Sequence, residues 1–175
     1  LQWSALQSLG KSYWMLVVVG LLFNLGNFSD AFLLLRAKEI GISTNLIPLS
    51  FVVMNITYGL SAYPIGVLSD RIGRKGLLIS GFTLFALVYF GFAIAQAPWQ
   101  IWVLFGLCGL YLGKTQGLLL ALVADKVPEN LRGTAFGTIN LVTGIALLPA
   151  SLLAGTLWEK IGSQTTFMVS SGFAV

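Results

Sequence analysis

The chain has 175 residues, of which 57% are apolar and only 9% charged, with a net charge of +4, no His and one Cys. A water-soluble domain carries about 25% charged residues, so these charges are too few to cover a solvated surface. They are bunched between long apolar runs, as in an all-α polytopic membrane protein, and the positive balance sits at helix ends rather than forming a nucleic-acid footprint. The absence of His excludes His metal sites, Ser-His catalysis and His proton relays. No residue set points to an enzyme or a cofactor, and a Ser-Lys dyad on Lys114 has no serine that the sequence locates. Cys108 lies inside an apolar run without an internal disulfide partner. Both ends read as cut. Leu1–Gly10 has no signal-peptide pattern, and Val175 falls partway into an apolar run, so a fragment of a longer chain is expected.

The first span is predicted over 13–35, enough to cross a ~30 Å core at 1.5 Å per residue. Gly20, Asn24, Asn27 and Ala31 recur at i, i+4, i+7 and i+11, with Asp30 on the adjoining edge. The asparagines suit interhelical hydrogen bonds. Asp30 is an intramembrane acid and so a functional candidate, although ~8 Å from the helix end by its rise an interfacial place also suits it. The second span, 46–67, puts Asn55, Gly59, Ala62 and Gly66 on one small-residue face, and Pro64 is expected to kink it. The third, 77–97, has almost no polar side chain and is expected to face lipid.

The fourth span, 101–124, carries Trp99 and Trp102 at its start and a Gly109–Gly113–Gly117 ridge for close helix approach. Lys114 is near its middle, where a lipid-facing ammonium costs roughly 3 kcal/mol. Gln116 is about 200° round the helix from it, so only one of the two faces a central path, and the charge selects Lys114. The fifth span, 135–157, puts Asn140, Gly144, Ser151 and Gly155 on one face, with Pro149 inside. The sixth, 167–175, is incomplete. By helix rise Asn24 and Asn55 lie ~14–17 Å from the outer end and Lys114 ~20 Å. The expectation is one midplane polar site made of Lys114, Asn24, Asn27, Asn55 and Asp30.

Two connecting segments hold most of the remaining charge. Gly66 to Gly76 is predicted as a tight loop of ~10 residues between antiparallel helices. In it Gly66 permits close backbones, Gly73 a positive φ, and Asp70 attracts a helix N-terminus. Arg71 and Arg74 are placed to pair with acids such as Asp125 or Glu129 of the second segment, Asp125 to Thr134. Lys11, Arg71, Arg74, Lys75, Lys126 and Arg132 fall on one side of the membrane, and Arg36, Lys38 and Lys160 on the other. That asymmetry predicts a cytoplasmic N-terminus.

Gly66-x-Leu68-x-Asp70-Arg71-x-Gly73-Arg74-Lys75 resembles the signature loop of the major facilitator superfamily of secondary transporters. Asp125, Pro128, Arg132 and Gly133 resemble the pattern that follows the fourth helix of a half. The resemblance implies a six-helix half built of two three-helix repeats, with its first, second, fourth and fifth helices lining a small-solute path. It also implies a two-state latch at Gly66, Asp70, Arg71, Gly73, Arg74, Lys75, Asp125 and Arg132. The fourth helix has Lys114 but no Arg, and Leu1–Ser12 is similar to the tail of a central loop, so the C-terminal half is favoured. The fifth helix lacks the antiporter motif, which leaves proton antiport unsupported. The expected partners are a small solute, the lipid bilayer and the other six-helix half, with no nucleic acid, in a bacterial inner (plasma) membrane. A non-transporting six-helix protein, such as an assembly factor or a receptor half, is the alternative.

Overall fold

A computed structural model describes residues 9–173. They form seven α-helices and no strand: α1 (Lys11–Gly26), α2 (Ala31–Glu39), α3 (Ile47–Ile72), α4 (Arg74–Ile94), α5 (Pro98–Lys126), α6 (Arg132–Lys160) and α7 (Ser163–Gly172), with a 3-10 turn at Glu129–Leu131 before α6. Five stretches are long and apolar enough to cross a membrane: Lys11–Glu39, α3, α4, α5 and Glu129–Lys160. Pro98 opens α5, where its missing N–H breaks no ladder, and the Gln100 side chain accepts from the backbone N–H groups of Gln96 (2.8 Å) and Ala97 (3.0 Å).

The first span is not one helix, as expected, but two. Residues 27–30 are non-helical. The hydroxyls of Tyr89 and Tyr111 both donate to the Asn27 side-chain carbonyl, at 2.9 and 3.2 Å. The Asp30 carbonyl then accepts from Leu33 (3.1 Å) and Leu34 (3.3 Å), which starts α2. A run of Asn, Ser and Asp supplies the side-chain competition that ends helices. The expected loop of ~10 residues is absent too. α3 runs to Ile72 and α4 starts at Arg74, so Gly73 alone connects them, at φ 97°. A residue with a Cβ is strained there. α5 likewise continues to Lys126, so Asp125 is a helical residue rather than a loop one.

The most extensive packing is α3 on α5. A Cβ added at Gly109 would meet Thr57, the Met54 carbonyl and the Tyr58 N–H, and one at Gly113 would meet Ser61. Gly117 and Gly66 face open space, so the close approach expected of them does not occur among the described residues. α1 packs on α6, and α4 lies against α5 and α7. Exchanging the first three spans with the last three interchanges the span-one/span-five contact with the span-two/span-four contact, as two three-helix repeats require.

The third span, α4, does not simply face lipid. It buries Phe85, Val88, Tyr89 and Phe92, and turns Ile79, Leu87, Phe90 and Ile94 outward. Composition cannot separate the two faces, because lipid is as apolar as the core. The buried side joins an aromatic cluster in which Phe92 stacks on Phe167 at 5.4 Å and Phe85 lies 4.2 Å from Tyr89.

Arg36 closes that end of the bundle. It is 3% exposed. Its guanidinium donates to the carbonyls of Phe92 (3.0 Å), Ala93 (3.2 Å) and Ala95 (3.0 Å), to Ser163 Oγ (3.0 Å) and to Glu39 (2.9 Å). It thus satisfies carbonyls that the end of α4 leaves without helical partners and ties α2 to the start of α7.

Candidate functional site

Two regions carry polar chemistry. The first is an open cavity of about 680 Å³ at the break between α1 and α2. Asn24, Asn27, Ser29 and Asp30 line it from the first span, Gln116 from α5, and Gly144 and Ser151 from α6. Asn24 Nδ2 donates to the Gly20 carbonyl at 2.8 Å, leaving its side-chain oxygen without a hydrogen bond among the described residues. Asn27 is held by the two tyrosines and acts chiefly as an anchor for the break. Tyr58 extends towards the same side, its hydroxyl 3.5 Å from Gln116 Oε1.

The structure brings together only part of the expected polar site. Asn24, Asn27 and Asp30 share the cavity, but Asn55 and Lys114 do not line it. Asn55 is exposed on α3 and donates to the Phe51 carbonyl of its own helix at 2.8 Å. Lys114 turns away from the cavity towards α4, with Nζ 3.4 Å from Ser80 Oγ. Two residues and about 200° separate it from Gln116, and it is the amide, not the ammonium, that faces the cavity. A Lys stem lies comfortably along apolar helix surface, so charge alone was the wrong discriminator. Ser29, which sequence reasoning did not single out, and Gln116, which it set aside for Lys114, line the cavity, and the offset between Lys114 and Gln116 was the signal for Gln116.

The second region is the charged end, where α3, α4 and α5 meet. Arg74 donates to Asp70 of α3 (3.0 Å), to Asp125 of α5 (2.7 Å) and to the Ala121 carbonyl (3.2 Å). The expected pairing of Arg74 with Asp125 is therefore present. Arg71 makes no ion pair among the described residues, and Lys75 is exposed. Arg132 pairs at 3.4 Å with Glu129, three residues away, and bridges no two spans. Ser69, Asp70, Arg74, Lys75, Asp125 and Lys126 line an open hollow of about 520 Å³ here. The single-residue turn makes this arrangement. With Gly73 between them, Asp70 and Arg74 stand one turn apart on adjoining helices, and α5 delivers Asp125 from the side.

Residues 6–175 match the Major Facilitator Superfamily pattern. The chain belongs to that superfamily. It is 35% identical over 176 residues to an uncharacterized MFS-type transporter of Methanocaldococcus jannaschii, covering 97% of this chain and 44% of that protein. It is 33% identical over 145 residues to the multidrug resistance protein MdtG of Yersinia enterocolitica, covering 80% of this chain and 35% of the relative. It is 31% identical over 128 residues to the inner membrane transport protein YajR of Escherichia coli, covering 73% and 28%. The chain spans less than half the length of each of these relatives. In this superfamily chain the signature residues Gly66 to Lys75 are the Asp70–Gly73–Arg74 corner, and the Asp125 of the second pattern is the acid that closes it.

Proposed function

We propose that this chain is one six-helix half of a secondary transporter that moves a small solute by alternating access. The solute binds in the cavity at Asn24, Asn27, Asp30 and Gln116. The observation carrying this reading is the interrupted first span. A broken helix whose unwound residues border a polar cavity is how transporters build solute sites within the bilayer. A second half, facing the cavity, completes the path. The Arg74–Asp125 contact serves as the latch of the charged end.

Among the described residues, Asp30 is the cavity's one charged lining residue, and no Lys or Arg lines it. A neutral polar or cationic solute fits it. The full-length protein in liposomes tests this against a solute panel sorted by charge. Asp30→Asn is expected to weaken binding of a cationic solute about tenfold, the effect of losing one charge-assisted hydrogen bond. A panel in which only anions stabilise and cross would overturn the assignment.

The charged end faces the cytoplasm in this reading, by the six-to-three cation asymmetry, and the membrane is the plasma membrane of a prokaryote. Lys75 is exposed and Cys108 buried. Lys75→Cys in a chain lacking Cys108 should react with an impermeant maleimide in inside-out vesicles only. Labelling in right-side-out vesicles reverses the orientation.

A further inference from the structure

Lys114 has no role in the cavity and none in the Arg74 corner. Among the described residues it makes no ion pair. Asp70 and Asp125 are engaged by Arg74, Glu39 by Arg36 and Glu129 by Arg132, Asp30 lines the cavity, and Glu159 is exposed at the C-terminal end of α6. An ammonium within a membrane span needs a counter-charge or polar contacts, and a single hydroxyl at 3.4 Å is a weak substitute.

Its surroundings say what supplies the rest. Val103, Leu107, Leu110 and Lys114 recur at i, i+4, i+7 and i+11 and form one stripe of α5. The first three line an open groove of about 480 Å³ together with Thr57, Leu60, Ser61 and Gly106. Thr57 Oγ1 donates to the Val53 carbonyl (2.8 Å) and Ser61 Oγ to the Tyr58 carbonyl (3.1 Å). The groove's hydroxyls are therefore satisfied within α3, and what it presents is apolar. Leu60 is 72% and Val103 53% exposed. α3 and α4 make little contact with each other. The stripe falls on α5 between Gly109 and Gly113, which meet α3, and Leu104 and Thr115, which meet α4, so it runs along a crevice between the two helices.

We infer that this crevice holds an anionic phospholipid of the leaflet at the charged end, its phosphate on Lys114 and Ser80 and one acyl chain along Leu110, Leu107 and Val103. The lengths agree. Ser80 is six residues into α4, ~9 Å from the charged end. From Lys114 to Val103 the stripe runs ~16 Å, about half of a ~30 Å hydrocarbon core and so the reach of one acyl chain. The charge agrees as well: a lone cation at one end of an apolar groove fits an amphiphile with a negative head. The inference needs only the membrane-spanning fold and stands apart from the transport reading.

The test uses the full-length protein, delipidated in mild detergent and titrated with phosphatidylglycerol, with bound lipid counted by native mass spectrometry. Wild type should hold one phosphatidylglycerol about tenfold more tightly than Lys114→Met, the effect of one charge-assisted contact. Lys114→Arg should keep it. Leu110→Trp, which fills the groove but leaves the ammonium, should lose it, and this variant carries the comparison if Lys114→Met does not fold. Phosphatidylcholine should bind more weakly, and inorganic phosphate should not displace the lipid. Equal phosphatidylglycerol binding by wild type, Lys114→Met and Leu110→Trp would overturn the inference and leave the groove to a protein helix. An equal loss in Lys126→Met would reduce the effect to net charge, and displacement by inorganic phosphate would reduce it to an ion site. Either result overturns the lipid.

Discussion

Arg36→Met should destabilise the protein by about 3–5 kcal/mol, read as the shift in unfolding of the full-length chain titrated from mild detergent into SDS. Methionine keeps much of the stem volume, so the loss isolates the guanidinium. The carbonyls of Phe92, Ala93 and Ala95 then lose their donor in a site where Arg36 is 3% exposed. Each buried polar group left unsatisfied costs about 1–3 kcal/mol. Arg36→Lys should recover little, since an ammonium is a compact point charge and cannot reproduce the guanidinium fork. Glu39→Gln is the internal comparison. Its side chain is 49% exposed, so water screens the pair and the loss should stay near or below about 1 kcal/mol. If Arg36→Met and Glu39→Gln prove equally mild, Arg36 is a surface ion pair and not the cap of α4.

Asp125→Asn should slow solute flux at least about tenfold while leaving stability nearly unchanged. The contact with Arg74 is short, at 2.7 Å, but its side chains are 28% and 49% exposed, and exposed pairs contribute about 0–1 kcal/mol. A switch, unlike a brace, needs only a small energy difference between its two states. The measurement is flux through the full-length protein in liposomes, using whichever solute the charge-sorted panel identifies, beside its thermal midpoint. Asp70→Asn should act in the same direction. Glu129→Gln should leave flux alone, because its partner Arg132 is three residues away and joins no two spans. Wild-type flux in Asp125→Asn would leave the corner as a topology signal only.

The span count and the Arg74–Asp125 pairing were legible because periodicity and charge report them directly. What was not legible has physical causes. Lys114 and Gln116 differ by two residues, and a depth argument places both at midplane without saying which faces inward. The crevice that shelters Lys114 is a tertiary feature. Arg36 read as a topogenic charge at a helix end, since nothing local announces that carbonyls 56 to 59 residues away converge on it. The break at Asn27 depends on two tyrosine hydroxyls from α4 and α5. The lipid reading of α4 covered only its outward face for a related reason: aromatic residues on an all-apolar helix match core and bilayer equally well.

The break has a mechanical consequence. The backbone N–H groups of Phe28, Ser29 and Asp30 make no i to i−4 bond among the described residues, so flexing there breaks no regular helical ladder. What resists it is the tyrosine grip on Asn27 together with the Ser170 hydroxyl on the Gly26 carbonyl. The first span is in effect a jointed rod. One arm, α1, is moored to α6, where the Tyr13 hydroxyl donates to the Ala135 carbonyl at 3.0 Å. The other arm, α2, ends in the Arg36 knot. α2 has nine residues and is about 14 Å long, so a turn of about 10° at the joint carries its tip about 2 Å. The cavity sits at that joint. Under the solute site proposed above, a pull on Asp30 acts at the pivot, and the arm carries it to the end of α4 and the start of α7.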